Sequence, residues 1–145
     1  MSVNPQQNNS LIELHIPDFE LAKNFYGKLG FNVIWEREPE DKKGYLILKL
    51  EGNILCFYCG NEMVYQHSYF GRFSKDTKRG YGVEIVLLVN DVEKSFEEAS
   101  KFAKVIQELK VKPWGLKDYR IEDPFGFYLR ITELHDILDK NNTIP

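Results

Sequence analysis

One stretch of this sequence occurs twice. The segment Leu14 to Leu29, LHIPDFELAKNFYGKL, returns as Leu87 to Phe102, LLVNDVEKSFEEASKF, at the displacement that separates Asp18 from Asp91. On that alignment Val92 falls on Phe19, Ala99 on Tyr26 and Phe102 on Leu29. Each copy is an apolar strand leading into an Asp at an N-cap position and then apolar residues at helical spacing. After each helix the period shortens to two. The first copy continues as Phe31 to Arg37, Tyr45 to Leu50, a turn at Glu51-Gly52-Asn53, and Ile54 to Tyr58. The second continues as Lys104 to Leu109, Leu116 to Glu122, a turn at Asp123-Pro124-Phe125-Gly126, and Phe127 to Thr132. Asp-Pro-x-Gly is a strong hairpin turn, with Pro fixing φ and Gly free at the fourth position.

Each half therefore reads strand, helix, strand, strand, strand. A half of that kind leaves one sheet face bare, so two must pack together, within one chain or by exchange between chains. The expected fold is α+β, with two βαβββ modules forming curved sheets around a cleft. One domain is expected over 1–145, with the repeats at 11–59 and 81–133 joined by a link at 60–80. Residues 145 in number suffice for one sizeable core.

Composition narrows the function. A net charge of −3 without any Lys/Arg cluster speaks against nucleic acid. No apolar run reaches the roughly 18 residues of a membrane span, and Met1 to Ser10 is polar and unlike a signal peptide. Cys56 and Cys59 sit in an apolar strand-forming run with no second Cys pair or His pair, so buried reduced thiols in a cytoplasmic setting are expected. Aromatic residues make up 14% of the chain, a content that suits either a site gripping flat ligands or a homodimer interface. The link from Gly60 to Arg79 is long for a compact fold and carries Tyr65, His67, Tyr69, Phe70 and Phe73. That cluster is expected either to cap a pocket or to clasp a partner subunit.

The helix-opening PDFELAKNFYGKLGF and the closing PWGLKDYRIEDPFGFYLRITE, together with the repeated βαβββ unit, resemble the vicinal-oxygen-chelate superfamily of glyoxalases, bleomycin resistance proteins and dioxygenases, and its bleomycin-resistance-like branch in particular. The resemblance spans Leu11 to Glu133. In metal-using members it implies four chelating places, which in this chain hold Leu11, Glu84, Arg130, and Cys56 or Phe57. Glu84 alone has the chemistry of a ligand, and a guanidinium among the donors opposes a metal's charge. No metal, no other cofactor and no catalytic residue are expected. In their place the resemblance puts Glu84 and Arg130 side by side, where an ion pair is expected, either holding strands together or meeting a charged ligand group.

The expected ligand-binding residues are Trp114, Tyr119, Glu84, Arg130, Tyr65 and Phe57. Trp114, placed at the start of a strand, offers a ring for stacking, though core or interface packing would also use it. Phe125 occupies an exposed turn position that suits an interface or lid contact. His15 is expected to be structural, and His67 and His135 are too scattered to form a site with it. No Ser-His-Asp or Cys-His spacing suggests covalent catalysis. The leading expectation is a metal-free homodimeric binding protein of bleomycin-resistance type, holding a small aromatic or cationic molecule, an antibiotic among the possibilities. The alternatives are a metal-dependent lyase, isomerase or dioxygenase of the same superfamily, and an interaction module whose Asn61 to Lys78 segment meets a protein.

Overall fold

A computed structural model describes residues 10–139. The polar start of the chain, expected to carry no signal peptide, lies outside them up to Asn9, as does the tail from Lys140. The first half comprises β1 (Glu13–Ile16), α1 (Phe19–Lys28), β2 (Asn32–Arg37), β3 (Tyr45–Leu50) and β4 (Asn53–Cys59). The second comprises β5 (Glu84–Val89), α2 (Val92–Ala99), β6 (Lys104–Val111), β7 (Lys117–Glu122) and β8 (Tyr128–Glu133). Each half folds into a four-stranded mixed sheet, β1-β4-β3-β2 and β5-β8-β7-β6, curved but not closed. The opening strand of each half pairs parallel with its closing strand, and the remaining pairs are antiparallel hairpins.

Both helices start where an Asp side chain replaces a missing backbone partner. Asp18 accepts from the Leu21 N–H and Asp91 from the Lys94 N–H, each at 3.0 Å. The helices bury Phe19, Ala22, Phe25 and Tyr26 in the first half and Val92 and Ala99 in the second. These side chains join the inward strand residues of both sheets in one apolar cluster, which includes Leu14, Ile16, Leu46, Leu48, Leu87, Ile121 and Leu129. Alternation along the strands turns the intervening residues to the opposite, open face of each sheet.

Polar contacts tie the halves together through this core. The buried Tyr26 hydroxyl donates to Asp123 Oδ2 at 2.7 Å, while Asp123 Oδ1 accepts from the N–H groups of Phe125 and Phe127 at 2.9 and 2.8 Å. Burial pushes the Asp123 carboxyl above its ordinary range, against the pull of Tyr26 and those N–H groups. The Asn53 amide donates to the Leu88 carbonyl at 2.8 Å, binding the β3–β4 turn to the opening strand of the other half.

The link between the halves is not a bare loop. It forms two short 3-10 turns, Glu62–Gln66 and Phe70–Arg72, and lays His67 and Phe70 on the open face of the first sheet. Gly60 makes the entry possible: its φ is +79°, and a Cβ there would come within 2.5 Å of the Phe19 ring. Two expectations need correction here. Trp114 does not begin a strand but lies in the turn between β6 and β7, and Phe125 is partly buried against the core rather than exposed.

Candidate functional site

The open face of the second sheet carries the charges. The Asp123–Gly126 turn sets the β7–β8 register, so that Arg120 stands opposite Arg130 and Asp118 opposite Thr132, while Val86 of β5 pairs with Arg130 from the other side. Arg130 is thus flanked by β5 and β7, and Glu84, two residues before Val86, reaches both arginines. One Glu84 oxygen, Oε1, lies 3.1 Å from Arg120 Nε, which donates a hydrogen bond to it, and 3.3 Å from Arg130 Nε. The expected Glu84–Arg130 ion pair is present, but Arg120 shares it. Arg120 also donates to Gln107 Oε1 at 2.7 Å, and Gln107 accepts from Lys112 Nζ at the same distance. Lys112 and the fully buried Asp118 are 3.5 Å apart. Three cations therefore face two carboxylates.

A cavity of about 310 Å³ opens beside this network. Its walls are Val86, Leu88, Trp114, Leu116, Thr132, His135 and Ile137, and Arg130 is the one arginine or lysine among the described residues that line it. The His135 ring stands 2.9 Å from the Glu133 carbonyl through Nδ1, which donates because a carbonyl only accepts. Trp114 contributes a ring to the same space.

The first sheet is different. Its open face presents Glu13, His15, Tyr45, Cys56 and Tyr58, brought together by the β1–β4 and β3–β4 registers. His15 packs against Tyr58, His67 and Phe70, with centroids 4.7, 5.0 and 5.0 Å away. Burial, then His67, lowers the His15 pKa, with Arg79 adding and Glu13 opposing. Burial raises the Cys56 thiol, which leaves it a poor nucleophile, and burial and Glu13 raise the Tyr45 phenol. Both cysteines are buried and unpaired. Beneath the link lies a second cavity of about 320 Å³, lined by Leu14, His15, Tyr65, Phe70, Phe73 and Phe127 among others.

The six residues proposed from sequence thus separate. Glu84 and Arg130 meet on the open face of the second sheet, and Arg130 and Trp114 line the same cavity there. Tyr65 lies in the link, under Lys75 and Arg79, and lines the other cavity. Phe57 and Tyr119 face the core and are fully buried: Phe57 packs on Tyr26, and the Tyr119 hydroxyl lies 2.6 Å from Ser95 Oγ. Neither offers surface to a ligand, because each sits at the inward parity of its strand. Of the fourth chelating place, then, it is Cys56 that turns to the open face. Sequence reading missed Arg120, Asp118, Lys112 and His135. The signal for the first two was present, since a turn at Asp123–Gly126 fixes which residues of β7 stand beside Arg130.

The metal-using pattern does not fit this donor set. Glu84 is held between two guanidinium groups, and among the described residues no group of three or more His, Cys, Asp or Glu is arranged to hold an ion.

The glyoxalase/bleomycin resistance protein/dioxygenase superfamily model matches residues 10–131, and the chain belongs to that superfamily. No curated protein matches it. Among solved structures it is similar to TioX from Micromonospora sp. ML1, at 22% identity and TM-score 0.63, covering 84% of this chain and 94% of that one. A bleomycin-binding protein complexed with bleomycin has 17% identity and TM-score 0.61, covering 89% and 100%. A family enzyme from Burkholderia phytofirmans PsJN has 18% identity and TM-score 0.65, covering 86% and 96%. At these identities the likeness is one of fold.

Proposed function

We propose that this protein binds a small aromatic molecule without a metal, in the manner of a bleomycin resistance protein, and that it does so on the open face of its second sheet. The observation that carries the reading is the pairing of the Trp114 ring and the Arg130 guanidinium in one otherwise largely apolar cavity, at the corner where a chelating member would place its ligands. A flat ring can stack on Trp114 and bury its faces against Val86, Leu88 and Leu116. Sequestration needs affinity alone, and Glu84, held by two arginines, is engaged in ion pairing. A bleomycin-binding protein with this fold supports the class, and a reducing compartment such as the cytoplasm suits the two free buried thiols. Binding is proposed to occur in a homodimer.

The test is metal analysis of protein purified without chelator, paired with a thermal-shift screen of aromatic antibiotics, glycopeptides, thiol conjugates and divalent metals. The expected result is Zn, Fe, Mn and Ni far below one per chain, a melting temperature indifferent to EDTA, and stabilisation by one or more aromatic compounds. Stoichiometric metal that is lost on Glu84→Gln would overturn the reading in favour of the metal-dependent lyase, isomerase or dioxygenase.

A further inference from the structure

We infer that the ligand of the second-sheet cavity is an aromatic acid, whose anionic group is received by Arg130 while its ring lies on Trp114. The inference deepens the reading above and rests on it. Three observations carry it.

The first is the charge balance. Of the ionisable groups in the network, Lys112, Arg120 and Arg130 are cationic and Glu84 and Asp118 anionic, which leaves one positive charge. The second is where that charge resides. Lys112 and Arg120 stand 3.5 and 3.8 Å from Asp118 Oδ1 as ion-pair contacts and donate within the network, Lys112 to Gln107 and Arg120 to Gln107 and Glu84. Arg130 does not: its Nε is buried without a hydrogen-bond acceptor, and among the described residues its guanidinium makes no side-chain hydrogen bond, only the 3.3 Å contact with an oxygen that Arg120 already holds. A guanidinium has five donors in a planar fork, and a partly buried one needs acceptors that match it. The third is the cavity itself. Arg130 reaches it, and among the described residues no carboxylate lines it, so a carboxylate or other oxyanion entering there meets the guanidinium's remaining N–H groups.

A cationic ligand meets the opposite situation. It would bring a second positive charge beside Arg130 in a space whose remaining walls are mainly aliphatic and aromatic, where charge interactions are strengthened by the low local dielectric. The volume, about 310 Å³, lies at the small end of ligand pockets and matches a one- or two-ring acid better than a large polycation.

The experiment titrates the full chain by calorimetry with three probes that share a ring and differ in charge: 2-naphthoate, 2-naphthamide and 2-naphthylmethylammonium. The naphthoate is expected to bind at least about tenfold tighter than the amide, with the ammonium weakest, and the gap is expected to narrow as KCl is raised. Arg130→Met should weaken the naphthoate far more than the amide and so close most of the gap between them. Glu84 keeps Arg120 as its partner in that variant, so the fold should survive; Arg130→Lys, which keeps the charge and loses the fork, should fall between. Trp114→Ala should weaken naphthoate and amide alike. Equal affinity for the three probes, or preference for the ammonium, overturns the inference while leaving the small-molecule reading intact. Failure of all three to bind a folded chain overturns the inference, and if the antibiotic screen is also blank the broader reading falls with it.

Discussion

His15 shows how much a single position depends on what folds over it. The residue sits on the open face of β1 and would be half in water if the link were elsewhere. Under Tyr58, His67 and Phe70 its Nδ1 is buried with no hydrogen-bond partner. Both circumstances favour the neutral ring, and its pKa is lowered accordingly. The sign for stability follows from linkage. The unfolded chain takes up a proton near the ordinary histidine value of about 6.5, and the folded chain resists doing so. This contribution is therefore complete above that pH and is lost as pH falls through it toward the folded pKa. The melting temperature of the native chain is expected to drop more between pH 7.5 and 5.5 than that of His15→Gln. Parallel curves would remove His15 from the account. Phe57 and Tyr119 teach the complementary lesson. Tyr119 lies in KDYRIE, whose alternation already marks Tyr119 and Ile121 as one face and Arg120 as the other, so its burial was legible. Phe57 lies in ILCFYC, apolar on both faces, and only its pairing with Leu14 of β1 settles that it points inward.

Among the elements, the link at 60–80 has the least support from local pattern and the most from particular residues. Its His67 ring caps its own second turn, with Nδ1 accepting from the Tyr69 and Phe70 N–H groups at 3.0 Å each. Arg79 anchors its far end by donating to the His15 carbonyl at 2.6 Å. At the near end Gly60 combines a left-handed φ with close approach to Phe19. Gly60→Ala is expected to destabilise the chain by about 2 kcal/mol or more, since it adds left-handed strain to a clash with a buried ring. Urea unfolding would measure it, and a shift within experimental error would show that the entry can rearrange. The helices and hairpins, by contrast, follow their sequences closely. Asp18 and Asp91 cap as expected, and β3 spans Tyr45–Leu50 as read from alternation. Trp114 was the exception because Pro113 and Gly115, with Gly115 at φ +89°, make a turn where its neighbours suggested a strand.

At the scale of the whole molecule the open sheets leave edges. β2, at one edge of the first sheet, exposes Val33, Ile34 and Trp35 in succession, at 48%, 56% and 47%. Natural edge strands are usually protected by charge, by Pro or by a partner, and three consecutive exposed apolar residues lack the first two. A homodimer is the proposal that covers them. Light scattering after size exclusion should give twice the 17.0 kDa protomer mass, and Trp35→Asp should return it to one protomer with the circular dichroism unchanged. A native chain that runs as one protomer would reject the proposal.

The architecture was readable because it is written in short-range terms: two Asp-capped amphipathic helices, alternating strands and one Asp-Pro-x-Gly turn, each set by neighbours a few positions apart, and then written a second time. The site was readable only in part. Glu84 and Arg130 were expected side by side from the family resemblance, and the parallel pairing of β5 with β8 puts them there. The burial of Tyr119 and the place of Arg120 follow from local alternation and the Asp123–Gly126 turn, but the cavity walls from Leu116 to Ile137 and the positions of Phe57 and Tyr65 away from the candidate site depend on strand pairing and the resting place of a long connection. Those are settled by which faces find burial and which charges find partners once distant segments meet, and no local pattern encodes that outcome.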